Sequence, residues 1–143
     1  GTAHVQRLAP VASHWPERSE AVHRDEIFAD RASEASSRCW LDTAGIRLRP
    51  PLLFARAEPV EVIAALPEGP PQRLRWRGRL YALTHTQGPE RIAAEWWRAS
   101  DDALTRDYYL TEDDAGRRFW LYREGLLSRE TAAPRWFLHG LFA

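Results

Sequence analysis

The chain has 143 residues, of which 44% are hydrophobic, and its formal charge is zero at neutral pH. This length suits one folded domain with a buried core, or one domain with a tail. The balanced charge excludes a global field that draws the protein onto nucleic acid. A membrane partner is not expected, because no apolar run approaches the ~18 residues of a membrane span. The single cysteine, Cys39, is typical of the cytoplasm, where we place the protein.

Residues 1–58 are rich in small and charged side chains and are predicted to form an N-terminal arm or linker. Within them, the spacing of small and apolar residues indicates a helix across residues 17–39. Glu20 and Arg24 form one favourable i,i+4 pair in this stretch. The apolar face is thin, so a charged linker is the alternative.

Residues 59–143 carry most of the aromatic side chains, in short apolar runs separated by turn signals about every ten residues. We therefore predict a mainly β domain, with α+β as the alternative class. Its architecture is an antiparallel sheet or a small half-barrel, with the extended or partly helical arm packed on it. The first strand is expected at residues 60–65, and a proline-containing loop follows at 66–71.

Arginine alternates with large apolar residues across residues 72–83, which is the period of a half-buried strand. The pattern predicts a hairpin that turns at Arg77 and Gly78, with Gly78 at positive φ. Leu74 is expected opposite Tyr81. The candidate contact residues on this hairpin are Arg73, Arg75, Arg77 and Arg79. Three interpretations stay open for them: a solvated face, a partner-protein surface, or a phosphate-binding surface of nucleic-acid type.

A further segment is expected to begin at Gly88 and Pro89 and to contain Trp96, Trp97 and Arg98. Adjacent tryptophans on a strand point to opposite faces, so one ring could serve as an exposed contact anchor. Packing of both rings in the core is the alternative.

A second hairpin is predicted from residues 106–112 and 117–123, around a turn at 113–116. Its strands are apolar on both faces, which indicates that both faces are covered. Asp113 and Asp114 are interpreted as turn residues, although carboxylates could also hold Mg²⁺. The last strand is expected at residues 135–139.

The chain lacks the patterns that reactions usually need. Five scattered histidines and one cysteine do not supply a metal-ligand set, and His85 and His139 are interpreted as structural. No glycine-rich phosphate loop is present, and no activated nucleophile is indicated. We therefore predict no catalytic residue, metal or cofactor, and a binding module rather than an enzyme.

Several sequence blocks occur together in one order, from near the first residue to the last. They are VQRLAPVASHWPER (5–18), EPVEVIA (58–64), GPP (69–71), RWRGR (75–79), GPERI (88–92), EWWR (95–98), RDYY (106–109), GRRFWLYREG (116–125) and RWFLHGLFA (135–143). Together they resemble the C-terminal region of ImuB-like proteins, which are bacterial relatives of Y-family translesion polymerases.

The resemblance implies a polymerase relative that has lost catalytic carboxylates and acts as an adaptor in damage-induced mutagenesis. Its implied partners are a RecA-like accessory protein, an error-prone replicative-type polymerase and the sliding clamp. The polymerase-like core and the clamp-binding peptide would precede residue 1, so the clamp would be contacted outside this chain. We therefore expect a non-catalytic protein-interaction domain of a translesion-synthesis adaptor. The alternative is a DNA-binding module that contacts phosphates through the arginine-bearing hairpin.

Overall fold

A computed structural model describes residues 7–23, 49–65, 68–95 and 103–142. In chain order, the strands are β1 (Arg7–Pro10), β2 (Glu20–His23), β3 (Leu52–Ala64), β4 (Pro71–Trp76), β5 (Arg79–Ile92), β6 (Arg106–Asp113), β7 (Arg118–Glu124) and β8 (Arg135–Phe142). A short 3-10 helix, Pro16–Arg18, lies between β1 and β2. The predicted mainly β class is confirmed.

Strands β3 to β8 form a closed antiparallel barrel in sequential order. Closure comes from the pairing of β3 with β8, in which Leu53 lies opposite Gly140. Gly140 permits this close approach, because a Cβ atom there would lie 2.7 Å from the carbonyl oxygen of Leu52. The predicted antiparallel sheet or half-barrel is thus a closed barrel in the structure.

The two predicted hairpins are confirmed. In the first, Leu74 pairs with Tyr81, and Gly78 has a φ of 76° in the turn. In the second, β6 pairs with β7, and the turn is stabilised by Asp113, whose carboxylate accepts hydrogen bonds from the amides of Ala115 and Arg117. Asp113 thus acts as the predicted turn residue.

Three expectations about secondary structure need correction. The described beginning of the predicted 17–39 helix is not α-helical: the 3-10 helix ends at Arg18 and β2 follows. The first barrel strand begins at Leu52 rather than at residue 60. Gly88 does not begin a new segment but lies inside β5, at a register shift. Its φ is 134°, and its backbone lies close to that of Tyr108.

Alternation along the strands produces two cores on opposite sides of the barrel wall. The core in the barrel interior is built from the buried residues Leu74, Tyr81, Phe119, Leu121 and Leu138. The core on the outer side of β5 to β8 is built from Ile92, Tyr108, Trp120 and Tyr122, and Trp15 of the N-terminal arm packs against it. Strands β6 and β7 are therefore covered on both faces, as their sequence indicates.

Candidate interaction surface

The hairpin of β4 and β5 places two predicted contact residues on the outside of the barrel. Arg73 lies opposite Ala82, and Arg75 lies opposite Leu80, while Leu74 between them is fully buried in the interior. On the other side of β4, Ile63 pairs with Arg73 and Glu61 pairs with Arg75. We call this surface the outer β3–β5 face; it consists of Glu61, Ile63, Arg73, Arg75, Leu80 and Ala82.

The outer β3–β5 face combines exposed apolar and cationic side chains. Ile63 and Leu80 are each 58% exposed. Arg75 lies 3.3 Å from the Glu61 carboxylate, but both side chains are largely in water. Arg73 forms no ion pair with an acidic residue in the described part of the chain. The face thus carries one positive charge in excess over its single carboxylate.

Arg77 and Arg79 belong to a different surface, the rim at the turn end of the barrel. Arg77 pairs with Glu58 at 2.7 Å, and its guanidinium lies 4.8 Å from the centre of the Trp76 ring. Hydrogen bonds from Arg77 and from the Trp76 indole hold the pKa of Glu58 below its usual range. Arg79 lies over the ring of Tyr81. The four predicted arginines therefore divide between two surfaces.

The other predicted contact residues, Trp96, Trp97 and Arg98, lie outside the described residues. Their assignment as contact anchors stays a prediction.

A buried ionic cluster in the barrel interior was not anticipated from the sequence. Asp107 is 1% exposed and accepts hydrogen bonds from Arg91 and from Arg123, at distances between 2.7 and 2.9 Å. Burial raises the pKa of Asp107, but the two guanidinium groups outweigh burial and hold the pKa below its usual range. Asp107 and Arg123 are directly paired across β6 and β7. The predicted hairpin contained this signal as an opposite-charge cross-strand pair.

The N-terminal arm covers the outer core and is held there by polar contacts. Arg106 donates to Glu17 at 2.7 Å, and its guanidinium lies 4.0 Å from the centre of the Trp15 ring. Ser13 donates to the buried carboxylate of Glu95 at 2.6 Å. A cavity of about 580 Å³ lies beside these contacts, between the arm and the Trp120 region of the barrel.

The buried groups beneath the arm include a contact between a tyrosine and a histidine side chain. His139 is 2% exposed, and its Nδ1 atom lies 2.9 Å from the Tyr108 hydroxyl. Burial raises the pKa of Tyr108 well above its usual range. The two serine hydroxyls at the cavity donate elsewhere, that of Ser13 to Glu95 and that of Ser19 to a backbone carbonyl.

Acidification is expected to weaken the fold in two pH ranges. Burial lowers the pKa of His139 below 6.5. The unfolded chain therefore protonates this imidazole at a higher pH than the folded chain does, and stability decreases as the pH falls below about 6.5. Burial alone would raise the pKa of Glu17, but the hydrogen bond from Arg106 leaves it below 4.5. The contribution of Glu17 is therefore present above pH 4.5 and is lost as the pH falls through its lower folded value.

Urea unfolding of the wild type and of His139→Gln at about pH 7.5, 5.5 and 3.5 measures both ranges. The variant should lose less stability than the wild type between about pH 7.5 and 5.5, and both proteins should lose stability between about pH 5.5 and 3.5. Equal losses in both proteins over the upper range would contradict the assignment to His139.

The described residues contain no group of three or more histidine, cysteine, aspartate or glutamate side chains that could hold a metal ion. Within the same ranges, no helix has both the length and the apolar character needed to cross a membrane.

The strand order, the two cores and the exposed outer β3–β5 face define a small antiparallel β-barrel domain with an N-terminal arm. The chain belongs to the DUF6504 family, described as a domain of unknown function, whose family model matches residues 54–142. This match begins within β3 and ends with β8, so it covers the barrel. No solved structure matches the chain significantly.

Two curated relatives are similar to the whole chain. Both are named Protein ImuB, from Caulobacter vibrioides strains NA1000 / CB15N and ATCC 19089 / CIP 103742 / CB 15. Each is 42% identical over 149 aligned residues, which cover 99% of this chain. The chain spans only 30% of the length of these relatives. The resemblance to ImuB-like proteins is thereby confirmed.

Proposed function

We propose that this barrel is a non-catalytic protein-interaction domain of an adaptor in damage-induced mutagenesis and translesion synthesis. The similarity to Protein ImuB supports the biological setting. The observation that carries the molecular role is the outer β3–β5 face, where Ile63 and Leu80 remain exposed beside Arg73 and Arg75, respectively. Exposed apolar side chains grouped with arginine are typical of protein contact surfaces.

The buried polar groups support a structural rather than a catalytic role. Asp107 is neutralised by two arginines, Glu17 by Arg106, and the His139 imidazole is enclosed with Tyr108. The proposed partners are a RecA-like accessory protein and an error-prone replicative-type polymerase, which meet this domain in the cytoplasm. The sliding clamp would be bound through a segment outside the chain.

Binding of the purified chain to each of these two proteins from the same bacterium tests the proposal. Biolayer interferometry should detect saturable binding to at least one of them. The whole chain must be used, because a fragment that begins at residue 59 would cut through β3. Absence of binding to both proteins would reject the proposed role.

Direct DNA binding is the competing outcome, measured with single- and double-stranded oligonucleotides at about 50 and 200 mM salt. If the hairpin binds phosphates, the triple variant Arg73→Ala/Arg75→Ala/Arg77→Ala should weaken the salt dependence of DNA affinity. The slope of log affinity against log salt concentration should decrease by about one unit for each phosphate that is no longer neutralised. The proposed protein-interaction role predicts no appreciable DNA affinity at the lower salt concentration.

A further inference from the structure

We infer that the outer β3–β5 face is the docking surface itself, and that it takes a protein surface in which apolar side chains flank carboxylates. This inference rests on the proposed function and specifies which face of the barrel makes the contact. It also states the chemistry of the partner.

The position of β4 determines how a partner can bind here. Strand β4 pairs with β3 on one side and with β5 on the other, so its backbone groups are used within the barrel. A partner therefore cannot add a strand at this place, as it could at a free sheet edge. Recognition must come from the outward side chains, and these are the residues of the outer β3–β5 face.

The apolar side chains lie on either side of the arginines. Ile63 is on β3 and Leu80 is on β5, two strands apart, which separates them by roughly 10 Å across the sheet. Arg73 and Arg75 lie on β4 between them. Each apolar residue is thus next to a guanidinium group: Ile63 is the direct neighbour of Arg73, and Leu80 is that of Arg75.

The charge of the face favours carboxylates over other anions. Arginine presents a planar fork of donors that matches a carboxylate in bidentate geometry. Arg73 is free for such a contact within the described residues, and Arg75 is held only by an exposed pair with Glu61.

Nucleic acid fits this surface less well than an acidic protein does. Glu61 and the two exposed apolar residues would face the phosphate backbone, and Arg77 and Arg79 are directed to the rim instead. The chain as a whole also offers no net positive charge to attract DNA.

The test compares two double variants that remove the same number of charges. Arg73→Ala/Arg75→Ala changes the outer β3–β5 face, whereas Arg118→Ala/Arg135→Ala removes two exposed arginines elsewhere, which pair with Glu112 and Glu124. Each is titrated against the RecA-like protein and the polymerase used above. The first variant should weaken binding by about tenfold or more and flatten its salt dependence, and the second should bind as the wild type does.

A second pair of variants tests the apolar part of the face. Leu80→Asp should weaken binding by about tenfold or more, because it adds a repelling charge next to the carboxylates of the partner. Leu52→Asp is the matched control, since Leu52 is also exposed, at 54%, but does not belong to this face. Circular dichroism and thermal unfolding verify that all four variants fold.

The outcomes separate the two proposals. If the wild type binds a partner and both face variants bind equally well, the docking surface is wrong and the proposed function stands. If the wild type binds neither protein, the proposed function fails, and the docking surface fails with it. If Arg73→Ala/Arg75→Ala instead reduces DNA binding, the face contacts nucleic acid, which also overturns the inference.

Discussion

Replacing Asp107 by alanine should destabilise the barrel by about 3–5 kcal/mol, because it removes a buried carboxylate that accepts hydrogen bonds from Arg91 and Arg123. Asp107 is 1% exposed, and Arg123, its partner across β6 and β7, is 3% exposed. Removing only the carboxylate keeps the desolvation cost of Arg123 but takes away the charge attraction to Asp107. Urea unfolding followed by tryptophan fluorescence should show a large decrease in midpoint at an unchanged slope.

Two matched variants distinguish a buried charge effect from general damage to the barrel. Arg91→Ala removes the other guanidinium group that contacts Asp107, but this side chain is 52% exposed, so the loss should be at most about 1 kcal/mol. Asp107→Leu/Arg123→Leu replaces both buried charges and should be less destabilised than Asp107→Ala. A loss for Asp107→Ala as small as that for Arg91→Ala would contradict the ionic interpretation.

The local pairings of the barrel could be predicted from the sequence because they depend on nearby residues. The alternation around Leu74 and the turn at Gly78 fix the register of β4 and β5. Asp113 and Gly116, in the turn between β6 and β7, fix the register of these two strands. Each of these hairpins brings its strands together through a short turn, which defines which residues face each other.

Closure of the barrel could not be predicted in the same way. It depends on β3 and β8, which lie at opposite ends of the barrel sequence, and on Gly140, whose missing side chain admits Leu52 and Pro50. The charge pairs of the 17–39 segment fit a helix, but residues 20–23 at its described start are extended and pair with β1. Local propensity is a weak signal where tertiary contacts compete with it.

The sequence predicted four contact arginines on one hairpin. It did not predict that these arginines lie on two different surfaces of the barrel. A period of two places Arg73 and Arg75 together, and both lie on the outer β3–β5 face. The turn then breaks the alternation, so Arg77 contacts Glu58 at the rim. The exposed neighbour Ile63 was not anticipated as part of the same surface, because its pairing with Arg73 depends on the approach of β3.

The N-terminal arm should be released when Arg106 is replaced by alanine, while the barrel remains folded. The Arg106 guanidinium is 10% exposed and contacts both the Glu17 carboxylate and the Trp15 ring. The variant leaves Glu17 without its cation, at a cost of about 2–3 kcal/mol, the upper range for hydrogen bonds to charged groups. The loss is limited to this range, because an opened arm lets the carboxylate of Glu17 return to water.

Hydrogen exchange measures this local opening separately from global unfolding. The arm amide of Val11, which donates to the Ser19 carbonyl at 2.8 Å, should exchange roughly 30- to 160-fold faster in Arg106→Ala. Core amides of β7 should change far less. Arg18→Ala is the matched control, because Arg18 also contacts the Trp15 ring, at 4.7 Å, but from an exposed position. Equal acceleration in β7 and in the arm would mean that Arg106 stabilises the whole barrel, contrary to the role assigned to it.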